Sequence, residues 1–239
     1  YGTDENFLQL IQELDKINGI ERYRISSIEP NLLSDEIIEF VSKSKRFVPH
    51  FHIPLQSGSD MLLERMRRRY KTDLYRSRIE KIKSLMPDCC IGVDVIVGFP
   101  GETDEEFQKT YQLLNELDIA YLHVFTYSER DNTTALRMDG VVPIPVRKER
   151  NKMLTILSNK KKRAFYESQE QRTDKVVFEA SEDNGMMYGF TKNYVKVKTP
   201  FNPLMINQSS HVKLTELDRD GVYRIEFTEE RMTTQALLG

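Results

Sequence analysis

The sequence predicts an α/β domain built on a parallel sheet, followed by a small antiparallel β-barrel. Up to about residue 127, short β-rich segments alternate with helical patterns, which is typical of right-handed βαβ units. After about residue 170, short alternating segments are separated by turn signals without helical patterns, which favours a small barrel. We therefore expect a first domain over residues 1–170 and a second over residues 171–239.

Each element of the first domain has its own sequence signal. The patterns predict strands at 22–28, 50–55, 89–97 and 120–127, and helices at 34–44, 59–66, 72–86 and 103–117. Ser34 and Thr103 are expected to cap two of these helices, and Glu106 completes a capping box with Thr103. Because four strands cannot close an eight-stranded barrel, the sheet is expected to be open or to form part of a barrel.

A long basic helix is predicted before the second set of strands. Residues 144–170 follow one helical pattern, and a cluster of cations lies near its end: Lys160, Lys161, Lys162 and Arg163. Five short strands are then predicted, at 175–180, 187–191, 194–198, 211–217 and 222–227. Asp183-Asn184-Gly185 and Asp220-Gly221 are turn signals between them.

Composition limits the class of protein. The 239 residues carry a net charge of −2, so any nucleic-acid surface must come from local clustering. Nothing resembles a leader or a long apolar span, and we expect a soluble cytoplasmic protein with no membrane partner. Cys89 and Cys90 are adjacent, so on a strand they point to opposite faces and make a poor metal clamp. Because Tyr1 and its neighbours are not an initiation sequence, we expect a piece of a longer protein whose N-terminal part is missing.

Polar residues and glycines cluster where the predicted parallel strands end. The segments are SSIEP, PLQSGS, GFPGE and YSER, and ligands of parallel α/β sheets bind at this edge. Asp94 opens an apolar run, where a carboxylate is costly unless it is paired or hydrogen-bonded. The segments could therefore converge on one ligand with an amine, a carboxylate and a ribose. Alternatively, Asp94 pairs with a core arginine and the Gly/Pro segments are only tight turns.

Four segments in this order identify a family resemblance: RISSIEP, HIPLQSGSDMLLERMRRRY, DVIVGFPGET and HVFTYSERDNT. Together they closely resemble the C-terminal half of the radical S-adenosylmethionine (SAM) methylthiotransferases. These enzymes convert a C–H bond of a tRNA adenosine, or of a ribosomal-protein aspartate, into a C–S–CH3 group. SSIEPN and DVIVGFPGET look most like the branch that acts on N6-threonylcarbamoyladenosine. The resemblance implies the C-terminal part of a six-stranded (β/α) partial barrel, followed by a TRAM barrel.

The resemblance also implies a SAM pocket. Glu29, Gln56, Arg68 and Asp94 match residues that line this pocket in the wider radical SAM family. A guanidinium such as that of Arg68 can bind the methionine carboxylate through two parallel hydrogen bonds. We also assign to the pocket Ser57, Gly98, Ser128 and Arg130.

The sequence departs from the family pattern in three places. Asp94 stands where the general glycine motif has its first glycine, and Glu102 falls one place late. Asn132 replaces a glycine, but asparagine tolerates left-handed backbone, so we expect the turn to survive. The third departure is that the family's cluster cysteines, a Cys-x3-Cys-x2-Cys motif and three more, are absent. We therefore expect two 4Fe–4S clusters in the full-length enzyme but none on this chain, which alone should be inactive and supplies no catalytic or metal-binding residue.

The second domain resembles the TRAM domain, an RNA-binding barrel. Aromatic residues and cations interleave between Tyr188 and Lys198, as base stacking and phosphate contact require. We assign RNA binding to the cations Lys160, Lys161, Lys162, Arg163, Lys192, Lys196 and Lys198. Alternatively, the aromatics fill the barrel and the helix is a solvated face; Phe190 is expected in the core. The expected partner is an anticodon-loop adenosine of tRNA.

Two rival functions stay open at this point. The chain could belong to the branch that modifies a ribosomal-protein aspartate, or to a non-catalytic RNA-binding protein. His50 and His52 share a strand face that would suit a metal, although structural packing is the favoured interpretation. His123 and His211 are expected to be structural.

Overall fold

A computed structural model of the protein describes residues 6–228, and within that range the chain divides into two compact units, 6–162 and 163–228. The division falls inside the helix α6 (Ile144–Glu167), and Tyr166 from its last turn joins the apolar core of the second unit. The domain boundary expected from the sequence, near residue 170, lies a short distance beyond this division. No helix in the described range is both long and apolar enough to cross a lipid bilayer.

The first unit is a parallel sheet with helical connections, as the alternation of patterns predicted. Its elements before α6 are α1 (Phe7–Lys16), β1 (Tyr23–Ile25), α2 (Asp35–Lys43), β2 (Phe47–His52), α3 (Asp60–Arg65), α4 (Thr72–Leu85), β3 (Cys90–Val97), α5 (Asp104–Glu116) and β4 (Tyr121–Thr126). Among the described residues these strands lie in the order β1-β2-β3-β4, and every neighbouring pair is parallel. Polar residues that follow β1, β2 and β3 therefore reach the same edge of the sheet.

The two faces of this sheet differ in polarity. Phe51, Val93 and Val95 lie on one face, fully buried in the core that the sheet forms with the helices. Side chains alternate along a strand, so the residues next to these point to the opposite face. We call that second face the polar face; it carries His50, His52, Asp94, Tyr121 and His123.

β2 begins three residues before the strand predicted at 50–55 and ends at His52. Pro49 argues against a strand in the sequence, but it lies inside a register shift between the pairs Tyr23–Phe47 and Ile25–Phe51. Its missing N–H therefore removes no regular ladder bond.

Side-chain caps fix the starts of several helices. Ser34 accepts a hydrogen bond from the Ile37 N–H, and Thr103 accepts one from the Glu106 N–H, as predicted. The reciprocal half of the predicted capping box is not made, because the Glu106 carboxylate accepts hydrogen bonds from Ser59 and Lys109 instead. The ion pair with Lys109 and the hydrogen bond from Ser59 hold the pKa of Glu106 below its usual value.

The second unit is a closed barrel of short strands. These are β5 (Thr173–Asp183), β6 (Met186–Phe190), β7 (Lys196–Pro200), β8 (Ser209–Leu217) and β9 (Tyr223–Phe227). They close in the order β5-β6-β7-β9-β8. The prediction of a wholly antiparallel barrel is wrong at one pair, because β7 and β9 run parallel. The connection from β7 to β8, which includes a short 3₁₀ helix at Pro203–Met205, returns the chain so that β9 runs in the direction of β7.

Phe190 is not in the barrel core, contrary to the sequence prediction. The core contains Phe178, Met187 and Val197, and the half-buried Phe190 lies outside this cluster. Its neighbour Gly189 takes the inward position, where a Cβ atom would lie 2.6 Å from Val176. Close packing of β5 against β6 therefore occupies the inside and leaves Phe190 on the outer face.

Candidate functional site

An ion pair joins two of the predicted cofactor residues. Glu29 follows β1 and Arg68 follows α3, and Arg68 Nη1 donates to Glu29 Oε1 over 2.8 Å. The side chain of Glu29 is 39% exposed and that of Arg68 is 28% exposed, so a ligand can reach them. Arg68 Nε is buried and has no hydrogen-bond partner among the described residues. This arginine therefore keeps an unsatisfied donor beside an accessible carboxylate.

The polar face carries a second pair. His52 Nε2 lies 2.8 Å from Asp94 Oδ1, and His52 Nδ1 lies 3.0 Å from the carbonyl oxygen of Ser26. The alternative that a core arginine pairs with Asp94 is wrong, because the partner is His52. Both ring nitrogens of His52 therefore lie within hydrogen-bond distance of an oxygen, and the ring is held between the end of β1 and β3. Sequence reasoning did not assign this role to His52, because the register that places β2 beside β3 is not visible in the sequence.

His123 joins this pair to form a cluster with metal-ligating chemistry. One ligand atom from each of His52, Asp94 and His123 lies within 4.8 Å of the others. His52 and Asp94 are joined by a direct hydrogen bond, so their close approach does not require a metal ion. The ring of His123 packs edge-on against His52 and Tyr121, with centroids 5.4 Å and 5.1 Å apart.

Gln56 lies in the turn that follows β2. Its φ of 68° is left-handed, which is uncommon for a residue other than glycine. The turn is held by backbone bonds on both sides, from the Gln56 N–H to the Asp94 carbonyl and from the Ile96 N–H to the Gln56 carbonyl. Tyr70 donates to the carbonyls of Pro54 and Leu55 just before it, and burial raises the pKa of Tyr70 to about 12. Gln56 is therefore fixed at the edge where the strands end.

A cavity of about 240 Å³ links Arg68 to the end of β3. Its lining includes Arg68, Ile96 and Phe99. Ile96 belongs to β3, and Phe99 belongs to the Gly-Phe-Pro-Gly-Glu turn after it. The cavity therefore places apolar surface next to a cation, an arrangement that suits a ligand with both an apolar and an anionic part.

The Gly-Phe-Pro-Gly-Glu turn is locked against α6. Gly98 has a φ of +78°, and a Cβ atom there would lie 2.3 Å from the side chain of Arg147. The buried Glu102 accepts from the Gly98 N–H and from Arg150 Nη1, each over 2.8 Å. Burial raises the pKa of Glu102, while these two donors oppose the rise. The glycine predicted to contact the cofactor therefore also gives room to Arg147, whose role the sequence did not reveal.

The other predicted pocket residues lie in different surroundings. Ser57 is fully buried, and its hydroxyl lies 3.3 Å from that of Thr110 and accepts from the Ser59 N–H. These contacts show that Ser57 supports the turn. Ser128 and Arg130 are exposed in the segment after β4.

Asn132 has a φ of 65°, which confirms the expected left-handed turn.

The predicted RNA-contacting cations of α6 differ in availability. Lys161 Nζ donates to the carbonyls of Asn115 and Leu117 at the end of α5, and burial lowers its pKa. Its charge therefore caps α5 and would have to leave those bonds to reach a phosphate. Arg163 Nε pairs with Glu167 over 2.7 Å, and Lys160 and Lys162 are exposed.

The predicted RNA-contacting cations of the barrel also differ in availability. Lys198 Nζ lies 2.9 Å from an Asp218 oxygen and 2.6 Å from an Asp220 oxygen, and it holds the pKa of Asp218 far below its usual value. Lys198 is thus engaged within the barrel. Lys196 Nζ lies 4.3 Å from the centre of the Tyr188 ring, and Lys192 is half-buried on the same outer face.

Comparisons with known proteins show which proteins this chain is similar to. Residues 2–114 match the radical SAM superfamily. The chain is 40% identical over 216 residues to the threonylcarbamoyladenosine tRNA methylthiotransferase MtaB of Bacillus subtilis, a match covering 88% of this chain and 48% of the relative. It is 38% identical over 200 residues to the MtaB of Aquifex aeolicus, covering 83% and 48%. It is also 38% identical over 189 residues to the tRNA-2-methylthio-N(6)-dimethylallyladenosine synthase of Syntrophus aciditrophicus, covering 78% and 39%.

A solved structure supports the fold. Coproporphyrinogen III oxidase from Escherichia coli, described as a radical SAM enzyme, superimposes with a TM-score of 0.51 over 87% of this chain and 49% of its own, at 13% identity. The chain spans about half the length of the curated relatives it matches. These sequence matches show that the chain belongs to the radical SAM methylthiotransferase family.

Proposed function

We propose that this chain acts as part of a tRNA methylthiotransferase that adds a methylthio group to C2 of N6-threonylcarbamoyladenosine near the anticodon. The observation that carries the proposal is the pairing of Glu29 with Arg68, whose buried Nε has no partner among the described residues. Glu29 follows β1, while His52 and Asp94 belong to β2 and β3, so these side chains come from neighbouring parallel strands near the edge where α/β sheets bind ligands. Relatives that act on tRNA supply the substrate class.

The described residues fit SAM. Arg68 would hold the methionine carboxylate with its unused donor, and Glu29 would receive the amine or the ribose hydroxyls. Asp94, held by His52, and Gln56 would provide further polar contacts to the ribose and carboxylate ends. When bound, SAM supplies the one-electron chemistry with which this family activates C–H bonds. The chain's own contribution is therefore to bind and orient the cofactor.

The described cysteines do not fit an iron–sulfur cluster. Clusters are held by thiolates, whereas Cys89 and Cys90 are fully or almost fully buried and burial raises the pKa of both thiols. We therefore propose that the cluster ligands of the enzyme lie on residues other than these, and that this chain by itself does not catalyse the reaction.

SAM binding by the 239-residue chain tests the cofactor site. Isothermal titration calorimetry should show binding by the unaltered chain and a loss of about tenfold or more for Arg68→Ala, because a charge-assisted hydrogen bond contributes about 1.5–3 kcal/mol. Asp94→Asn should also weaken binding. Arg69→Ala removes a neighbouring exposed arginine and is the matched control. No binding by the unaltered chain, or equal losses for Arg68→Ala and Arg69→Ala, would contradict the proposed site.

For the RNA, we propose contacts from both groups of cations. Lys160, Lys162 and Arg163 lie exposed on α6, while Lys192 and Lys196 lie on the outer face of the barrel. Such contacts are expected to make binding salt-dependent, since each phosphate contact releases counterions.

A further inference from the structure

The segment from β6 into β7 presents a regular outer stripe. Between residues 187 and 198, buried and half-buried side chains alternate strictly. The buried set is Met187, Gly189, Thr191, Asn193, Val195 and Val197. The half-buried set is Tyr188, Phe190, Lys192, Tyr194, Lys196 and Lys198. Every aromatic ring of this segment therefore lies on the outer face together with the lysines, and the alternative that the rings fill the barrel is wrong.

Two of these rings are stacked on each other. The centroids of Phe190 and Tyr194 are 4.5 Å apart, and the ring planes differ by 18°. Lys196, opposite Phe190 in the β6–β7 ladder, lies over the ring of Tyr188. The outer face thus carries a stacked pair of aromatic rings, with Lys196 over the neighbouring ring of Tyr188.

Buried hydrogen bonds hold the loop that positions Tyr194. Thr191 Oγ1 lies 2.7 Å from Asn193 Oδ1 and accepts from the Val195 N–H over 2.9 Å. Asn193 Nδ2 donates to Gln169 Oε1 over 2.8 Å. This loop is therefore fixed by side chains that are themselves buried.

Tyr194 adopts a backbone conformation that suits glycine or asparagine better. Its φ is +66°, and a bulky side chain in the left-handed region is a strained outlier. Strain of this kind persists only where the surrounding structure over-determines it, and it clusters at functional sites. A tyrosine here places its ring parallel to that of Phe190, which glycine or asparagine cannot do.

We propose that Phe190 and Tyr194 form a stacking platform for an unpaired base of single-stranded RNA, with Lys192 and Lys196 contacting the adjoining phosphates. The inference rests on the proposed tRNA-modifying function and names residues that would recognise the RNA. Aromatic stacking suits an unpaired base because every base has a π-face, and cations along the same stripe suit the backbone. A base within a duplex is already stacked, so the platform favours loops over paired RNA.

The substitution Tyr194→Gly separates recognition from folding. Glycine adopts the left-handed conformation without strain, and this relief offsets the lost ring stack and the added freedom of the unfolded chain, so the variant is expected to stay folded with a similar thermal stability. Its affinity for a hairpin RNA with an adenosine-rich loop should fall roughly tenfold or more, as expected for one stacked base. Tyr194→Phe keeps the ring and should bind like the unaltered chain. Asn184→Gly is the matched control, because Asn184 is also left-handed (φ 52°) in the same barrel but carries no ring.

The probe and the salt dependence decide the interpretation. Affinities are measured by fluorescence anisotropy for the hairpin and for a fully paired duplex, at several salt concentrations. The platform is supported if Tyr194→Gly lowers the affinity for the hairpin only and leaves the salt dependence of that affinity unchanged. An unchanged hairpin affinity for Tyr194→Gly, or an equal loss with the duplex, overturns the platform but leaves tRNA binding in place. Failure of the unaltered chain to bind any RNA overturns the platform together with the RNA part of the proposed function.

Discussion

His52 lies between two hydrogen-bond acceptors, the Ser26 carbonyl and the Asp94 carboxylate. The contact with His52 fixes the orientation of Asp94 at the proposed SAM site before any ligand binds. The same sheet face buries His50, whose Nε2 lies 3.3 Å from the Tyr121 hydroxyl. The two histidines are two residues apart on β2 but have different partners and different burial.

His50 is expected to make stability fall at mildly acidic pH. Burial, together with the nearby charges of Arg24 and His52, lowers the pKa of His50 from 6.5 to about 4. Between these values the unfolded chain binds more protons than the folded chain, so stability is full above pH 6.5 and falls as the pH drops towards 4. The slope should approach about 1.4 kcal/mol per pH unit. Urea unfolding between pH 7 and pH 4.5 measures it.

Two variants identify the group responsible. His50→Gln should flatten this part of the pH profile, whereas His123→Gln, at an exposed site on the same face, should leave it in place. A profile that His50→Gln does not change would assign the slope to other groups.

At the scale of elements, the turn after β3 packs against the helix α6. Arg147 reaches back to the Val142 and Tyr127 carbonyls and to Glu129, and Arg150 pairs with Glu102 and Asp104. The turn after β3 is therefore held in place by a helix that is distant in sequence.

Gly98→Ala is expected to disrupt this packing. The new Cβ would overlap the Arg147 side chain in a left-handed backbone, so the free energy of unfolding should fall by about 2 kcal/mol or more. Gly19→Ala is the matched control, since Gly19 has a φ of +88° but no atom within 4 Å of the new Cβ, and should lose about 1–2 kcal/mol. Chemical denaturation of both variants measures the difference. Equal losses would show that backbone strain alone, and not contact with Arg147, requires glycine here.

Elements with local signals were predictable from the sequence, and elements set by distant contacts were not. The caps Ser34 and Thr103 are confirmed because capping depends on residues within one turn. The strand predicted at 194–198 is observed at Lys196–Pro200, because a buried network involving Thr191, Asn193 and the distant Gln169 holds the preceding residues in a loop. For the same reason, Glu29 and Arg68 could be assigned to one site only through family resemblance, and the His52–Asp94 pair was not foreseen at all.

At the scale of the molecule, each unit has its own apolar cluster. Phe51 is fully buried in the cluster of the sheet, and Phe178 is fully buried in that of the barrel. The sequence predicted both architectures from the change in periodicity, but not the parallel pair β7–β9 that closes the barrel. That pairing depends on where a long connection returns the chain, which local patterns do not encode.

Phe178→Ala is expected to destabilise the barrel by about 3–5 kcal/mol, because it leaves a cavity among buried side chains. Hydrogen exchange followed by mass spectrometry should show faster exchange in β5, β6 and β8. Phe227→Ala is the control at a partly exposed phenylalanine of the same barrel and should have a smaller effect. Unchanged protection in Phe178→Ala would contradict the assignment of Phe178 as a core residue.

The burial of Cys89 and Cys90 has a practical consequence for experiments on this chain. The native thiols are shielded, and burial raises their pKa values, so alkylating reagents should spare them while the sheet is intact. A cysteine introduced at an exposed position can therefore carry a fluorophore without removal of the native pair. Conversely, a brief pulse of reagent that modifies the native thiols reports how often the sheet opens.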